Sequence, residues 1–371
     1  MKIRFSVPFI TIAAVLFLSK SSFGIILPDT TFAFQDFSVQ KVWEIQNDSS
    51  STKVLISNNK IFYTLDNGVI YCYDLNGKEK WIAEAFGNIK KNSVQYKDLF
   101  LAVTVVGDLY SINANNSDVV QVIGVGENIS TDLALIDIIN SGYQSKGVIF
   151  GTEEGNVYCY DIFTFEILWQ ANLSPKSLIN EPLVLNDKII IQDSSSSIYC
   201  INSKSGLLIW KYNFNKKNET QNTTSLLSDG KTIYCVSPDE EVTAIDLMLG
   251  KKLWQTKSLD VYSKIFFNST KEELLLLNKK SEIISLSAKD GKETKKLKLE
   301  KENINNFSVT DFDNQLLLAL SDGSIYLVDD TFNPKLISIN NDSEITSIKK
   351  LSENKFITSS KSGKIAVYKL N

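Results

Sequence analysis

Four side-chain groups in this chain could do chemistry, and their types and spacing narrow what that chemistry is. The 371 residues include no histidine. The commonest general base and the commonest metal ligand are therefore missing. Ser-His-Asp triads, Cys-His pairs and His-containing zinc sites are excluded. Four cysteines are present. Cys72, Cys159 and Cys200 share one position of a repeated motif, and Cys235 lies outside it. No C-x-x-C spacing occurs, which argues against a thiolate metal site. Equivalent positions of neighbouring repeats sit too far apart for most disulfides, which need Cα atoms within about 7 Å. The pair best placed for one is Cys200 with Cys235, and otherwise the four read as small buried apolar residues. The acid runs Glu153-Glu154 and Asp239-Glu240-Glu241 lack the convergent oxygen spacing of a calcium loop. Gly124-Val125-Gly126 is too short for a phosphate loop and no helical pattern follows it. The lysines of residues 289–301 alternate with acids, as in a solvated strand and loop.

The elements that must position these groups recur. Asn67-Gly68-Val69-Ile70-Tyr71-Cys72-Tyr73-Asp74 leads after a short turn to Trp81. Glu154-Gly155-Asn156-Val157-Tyr158-Cys159-Tyr160-Asp161 leads to Trp169. Related segments lead to Trp210 and Trp254, and weaker copies lie around Gly107, Ser281, Gly323 and Gly363. With Gly68 as the ruler, the anchors fall at 68, 107, 155, 196, 240, 281, 323 and 363, so the spacing stays between 39 and 48 residues. A period near forty marks a repeat architecture. Within a unit, runs rich in Ile, Val, Tyr and Thr alternate with Gly, Asp, Asn and Ser turns, which is the hairpin signature. In the fifth unit the strands read as residues 224–227, 232–236, 242–246 and 252–256. Helical periodicity is weak throughout.

Eight units of four short strands predict an all-β fold, an eight-bladed β-propeller, with seven blades as the alternative if one degraded unit is misread. The last unit stops at Asn371 without its Trp-bearing strand, while Val39-Gln40-Lys41-Val42-Trp43-Glu44-Ile45 is such a strand with no unit before it. The N-terminal strand is therefore expected to complete the last blade and close the ring, removing two sheet edges. Trp43, Trp81, Trp169, Trp210 and Trp254 share one repeat position and read as residues that dock blade on blade. Asp74, Asn113, Asp161, Asn202, Asp246 and Asp329 read as side-chain caps of the following turn.

The first 24 residues have the pattern of a secretory signal: Lys2 and Arg4, an uncharged apolar stretch over residues 5–18, then Ser22-Phe23-Gly24. The expected organisation is a signal peptide over 1–24, a leader over 25–37 and one propeller domain over 38–371. An uncleaved anchor is the alternative. No cysteine follows the apolar stretch, so no lipoprotein attachment is expected. Lys2, Arg4 and Lys20 fall in the signal, which has no acid, so its removal takes the formal charge from −4 to −7. That charge disfavours a nucleic-acid partner.

The pattern Gly-x-[Val/Ile]-Tyr-x-[Ile/Tyr]-Asp followed by Gly-x-x-x-Trp resembles the repeat of the pyrroloquinoline-quinone-type propellers over roughly residues 38–371. WD40 signatures are absent. One branch of that family, the quinoprotein dehydrogenases, implies a quinone in the central funnel, a metal ion, an acidic base and often two adjacent bonded cysteines. No two cysteines are adjacent here. The other branch, the BamB-type scaffold subunits of the outer-membrane β-barrel assembly machinery, is similar in length, signal, blade count and closing strand. This resemblance implies a non-catalytic periplasmic scaffold, without cofactor or metal, monomeric and associated with the outer membrane through its partner. Its partners would be the barrel-assembly subunit and unfolded outer-membrane clients. It also implies a docking surface. Leu173-Ser174-Pro175-Lys176 is similar to a Leu-Ser-Leu-Arg-like stretch of the branch, and Thr220-Gln221-Asn222-Thr223-Thr224 to an Asp-x-Asp-Thr-Thr stretch. Leu173, Pro175, Lys176, Asn222, Thr223 and Thr224 are thus the partner-binding candidates, although both acids of the second stretch are missing. A quinone-dependent oxidoreductase and a propeller binding another envelope protein are the alternative functions.

Overall fold

Residues that are apolar on every side need cover on both faces, and the second and third strands of each unit are of this kind. Ile189-Ile190-Ile191 and Leu274-Leu275-Leu276-Leu277 are buried along their whole length. Outer strands alternate instead. Glu293–Lys298, for example, shows a charged residue at nearly every exposed position. A sheet built this way can be stable only between two copies of itself, which is what the chain builds.

The computed structural model describes residues 39–47, 54–140, 142–214, 226–237, 239–257, 259–302, 304–313, 315–329, 331–339 and 344–371. Among them there is no helix, and the strands form eight antiparallel four-stranded sheets. We number the blades along the chain: 1 (55–84), 2 (94–124), 3 (134–172), 4 (178–212), 5 (227–256), 6 (261–298), 7 (307–339) and 8 (345–370). In blades 1 to 7 the four strands follow chain order, from first to outer. The eighth is completed by Val39–Gln46, paired antiparallel with Lys364–Leu370 from Val39 opposite Leu370 to Gln46 opposite Lys364. The chain is an eight-bladed propeller closed by its N-terminal strand, and the seven-bladed alternative is set aside.

Eight apolar clusters hold the ring, one at each junction. Phe62, Ile70 and Trp81 of blade 1 pack with Phe100 and Ile112 of blade 2. Ile61 and Tyr63 of blade 1 pack with Ile357, Ile365 and Val367 of blade 8, where half-buried Trp43 and Ile45 join them. The same arrangement recurs between the other neighbours.

Two devices repeat with the period. The first is the anchor. All eight anchor residues have positive φ: Gly68, Gly107, Gly155, Gly323 and Gly363, and also Ser196, Glu240 and Ser281. A turn between the second and third strands needs the left-handed region here. At Gly155 a second constraint is added, because a Cβ would lie 1.8 Å from the Ser174 carbonyl oxygen. The second device is the indole. Trp43, Trp81, Trp169, Trp210 and Trp254 donate Nε1–H to Leu75, Ala114, Ser203, Leu247 and Ala288 of the next blade, at 3.4, 3.0, 3.0, 3.0 and 3.1 Å. Each acceptor directly follows the first residue of that blade's last turn. Gly77, Gly206, Gly250 and Gly291 lie flat against the Trp43, Trp169, Trp210 and Trp254 rings, with no space for a Cβ. The turns themselves are held as the sequence suggests. Asp74, Asn113, Asp161, Asn202, Asp246 and Asp329 each accept, through Oδ1, a backbone N–H two residues ahead.

Two stability predictions follow from this geometry. Trp210→Ala should cost about 3 kcal/mol through lost ring packing. Trp210→Phe should cost about 1 kcal/mol, chiefly the lost hydrogen bond. Thermal unfolding would rank them, and equal losses would mean that the ring itself contributes little. Gly126 and Gly155 share a positive φ, but nothing lies within 4 Å of a Cβ at Gly126. Gly126→Ala should therefore cost only the backbone term of about 1 kcal/mol, and Gly155→Ala about 2 kcal/mol more. Equal melting temperatures for the two variants would refute the steric account.

Candidate functional site

Antiparallel order places the turns between first and second and between third and outer strands at one edge of every blade. The turns between second and third strands share the opposite edge with the connections that pass to the next blade. The segment from Leu173 to Ser177 is one of these connections. It joins Ile167–Asn172, the outer strand of blade 3, to Leu178–Leu185, the first strand of blade 4.

Its path is fixed from both sides. Leu173 N donates to Gly155 O (3.0 Å), Leu178 N to Thr152 O (3.0 Å) and Ser194 N to Ser177 O (2.8 Å). The central tie is Ser174, whose Oγ–H donates to Asp193 Oδ2 at 2.7 Å. Ser174 and Asp193 are each only 1% exposed. Ser174 Oγ in turn accepts Lys176 N at 3.1 Å. Asp193 also accepts Ser195 N (2.9 Å), Ser195 Oγ (2.7 Å), Ser197 N (2.9 Å) and Tyr199 OH (2.9 Å). Burial alone would raise the Asp193 pKa. The hydrogen bonds from Ser195, Ser174, Ser197 and Tyr199 outweigh it and hold the carboxyl below its ordinary value.

This tie displays part of the expected docking stretch and sequesters the rest. Pro175 and Lys176 are exposed, while Leu173 is half-buried and packs into the cluster between blades 3 and 4. The structure therefore brings Pro175 and Lys176 to the surface together, with Leu173 as a foot beneath them. Asn222, Thr223 and Thr224 lie outside the described residues, in the segment between Phe214 and Leu226 that links blade 4 to blade 5.

The preceding connection carries a related acid. Glu127 accepts Thr152 Oγ1 (2.6 Å), Asn156 Nδ2 (2.9 Å) and Tyr158 OH (2.7 Å). Burial pushes its pKa up, but these bonds prevail and it too is lowered. Sequence reasoning missed both acids. A signal for the blade side of these ties exists: three residues before the anchor stand Thr104, Thr152, Asp193, Ser237, Asn278 and Ser360. Each of them caps its own turn by accepting a backbone N–H.

Elsewhere the candidate chemistry is muted. All four cysteines are free and buried. The Cys200–Cys235 bond weighed from the sequence is not formed. The two thiols share the cluster between blades 4 and 5, but they project from different sheets, and packed sheets lie about 10 Å apart. Burial raises the thiols of Cys159, Cys200 and Cys235 to about 12 and that of Cys72 to about 11, so thiolate chemistry is suppressed. Among the described residues no three acids or cysteines are grouped to hold a metal ion. First strands of several blades line cavities of about 500 and 550 Å³, walled by Leu133, Leu226, Phe266 and Phe307 with Glu181 and Lys264 among them. All five tryptophans stand on outer strands, away from these walls.

Because its folded pKa is depressed, Asp193 contributes stability above the ordinary carboxylate pKa, and that contribution is lost as the pH falls through the depressed value. Asp193→Asn should lower stability at neutral pH by about 2 kcal/mol, the scale of hydrogen bonds to a charged group. The gap from the parent chain should narrow below about pH 4. Melting temperatures across pH would check this, and a pH-independent gap would show that the charge is irrelevant.

A family model described as outer membrane protein assembly factor BamB matches residues 132–264, a stretch that contains the Leu173–Ser177 connection. A curated relative from Shewanella oneidensis, also outer membrane protein assembly factor BamB, is 21% identical over 252 residues, covering 61% of this chain. The match spans 62% of that relative's length. Among solved structures, BamB from Moraxella catarrhalis superposes with a TM-score of 0.72 at 14% identity, over 89% of this chain and 99% of its own. The computationally designed Ika8 protein superposes equally well, with a TM-score of 0.73 at 14% identity and the same coverage of both chains. At such identity the superpositions speak for the fold alone. Repeat, ring and sequence matches together show an eight-bladed β-propeller that is similar to the pyrroloquinoline-quinone-type propellers of the BamB kind.

Proposed function

We propose that the chain is a non-catalytic periplasmic scaffold that binds the outer-membrane β-barrel assembly machinery and aids insertion of outer-membrane proteins. The observation that carries this reading is the rigid display of Pro175 and Lys176 over the buried Ser174–Asp193 tie, within the segment that matches the assembly-factor family. A preformed, rigid loop loses little conformational entropy on docking. In this reading Pro175 and Lys176 contact the barrel-assembly subunit, Leu173 sets their path, and Asn222, Thr223 and Thr224 extend the surface along the next connection. Residues 1–24 act as the export signal, 25–37 as a leader and 38–371 as the single functional domain. The scaffold works as a monomer without cofactor or metal and meets the membrane machinery through its partner.

The test is an affinity pull-down of the tagged mature chain from gently solubilised envelope, with mass spectrometry of the recovered proteins. The barrel-assembly subunit should be recovered, and Lys176→Glu combined with Asn222→Glu should reduce its recovery roughly tenfold, as expected for loss of an electrostatic and a polar contact. Unchanged melting of the variant would tie the loss to the surface. Recovery of no envelope protein, with tight binding of added quinone by the purified chain, would overturn the scaffold reading in favour of redox chemistry in the central channel.

A further inference from the structure

The outer rim is not uniform. Where the last turn of a blade runs into its outer strand, blade 1 carries Lys78-Glu79-Lys80 and blade 6 carries Lys292-Glu293-Thr294. Such charges guard exposed strand edges. At the same place blade 4 carries Leu207-Leu208-Ile209, and all three are exposed, Leu207 by 70%. The corresponding turn of blade 5 presents Met248 and Leu249 at its tip, 64% and 63% exposed, with Leu253 just beyond. These two groups are neighbours. Trp210, which follows Ile209, donates to Leu247 O at 3.0 Å, and Gly250 lies against its ring. The turn of blade 5 thus sits beside the outer strand of blade 4, which brings six exposed large apolar residues to one sector of the rim.

Cations surround it. Lys204, Lys211, Lys251 and Lys252 are exposed. None forms an ion pair with a described carboxylate. Lys211 lies over the Tyr199 ring and Lys252 donates to Gln255. The acids on this edge are engaged already: Asp187 with Lys188 at 2.8 Å, and Asp229 and Asp246 with the backbone of their own turns. With Asp187 paired to Lys188, the four exposed lysines outnumber Asp229 and Asp246, so the local charge is positive on a chain whose formal charge is −4.

Aliphatic side chains on protruding turn tips, ringed by lysine, suit the boundary between headgroups and acyl chains. Protein hot spots are instead centred on Trp, Tyr and Arg in well-packed pockets. We propose that the rim of blades 4 and 5 docks directly on an anionic phospholipid bilayer, with Leu207, Leu208, Ile209, Met248, Leu249 and Leu253 entering the interface and the four lysines meeting lipid phosphates. This contact does not depend on the scaffold reading.

The mature chain would be floated with vesicles of phosphatidylglycerol and phosphatidylethanolamine, and with vesicles of phosphatidylcholine alone. Binding to the anionic vesicles only is expected. It should weaken roughly tenfold at high salt or on combining Lys204→Glu with Lys251→Glu, given the attraction per basic residue near an anionic surface. Met248→Ser with Leu249→Ser should abolish it. Both pairs change exposed side chains, and melting temperatures would verify that the fold is intact. The proposal fails if the parent chain floats with neither vesicle, or if binding survives both pairs of changes. It fails equally if the serine variant only dissolves a dimer seen by sedimentation without lipid, because the rim would then serve a second copy. Pure lipid contains no barrel-assembly subunit, so none of these outcomes bears on the scaffold reading.

Discussion

Every blade has two apolar faces and can cover neither by itself. Burial of those faces against the next blade is the interaction on which the rest of the molecule depends. At about 25 cal/mol per Å² of apolar surface, it is the main favourable term available to a chain of short strands. It also dictates the shape, since a stack of such sheets ends only by closing on itself. The indoles refine the contact. Each outer-strand tryptophan reaches the last turn of the following blade, a glycine clears space for most of the rings, and in four of the five an Asp or Asn fixes the turn that offers the acceptor. Angular placement of one blade on the next is thus set at the rim as well as in the core.

Rigid blades leave the edges free to vary. Connections between blades are pinned by hydrogen bonds to the turns they cross, and only a few side chains remain for recognition. The Leu173–Ser177 connection shows how this works at close range. One buried carboxylate, Asp193, fastens its own turn and the passing loop together, so that Pro175 and Lys176 are held outward without help from a partner. Glu127 does the equivalent one blade earlier, with the acid on the loop and the hydroxyl on the turn. The chemistry is shared, although the residues have exchanged sides.

The sequence carried the ring more fully than the site. Period, blade number, closing strand, turn caps and the common place of the tryptophans are all local or periodic signals, and the structure reproduces them in position. What was not legible depends on distances between segments far apart in the chain. Thr104, Thr152, Asp193, Ser237, Asn278 and Ser360 stand at one repeat position, yet hydroxyl and amide residues are so common in turns that the pattern gave no sign of the Ser174 tie. Leu173 stands with Pro175 and Lys176 in the stretch that carries the resemblance, whereas its apolar side chain turns back into the junction between blades. Cys200 and Cys235 do meet in one cluster, but the spacing between packed sheets, which keeps them unbonded, is a property of the fold and not of the residue pattern.

Closure by Val39–Gln46 ties the beginning of the chain to its end. The strand finds its partner more than three hundred residues away, since Val39 lies opposite Leu370. Joining ends so distant costs on the order of 5 kcal/mol in chain entropy, and nothing returns that cost until Lys364–Leu370 exists and the blades between are stacked. Contact order thus favours local hairpins forming first, with the pairing of the first strand expected to follow them. Until then blades 1 and 8 both present open apolar faces. Whichever blades form first, the chain remains an arc until Lys364–Leu370 pairs with Val39–Gln46, and only that pairing makes it a ring.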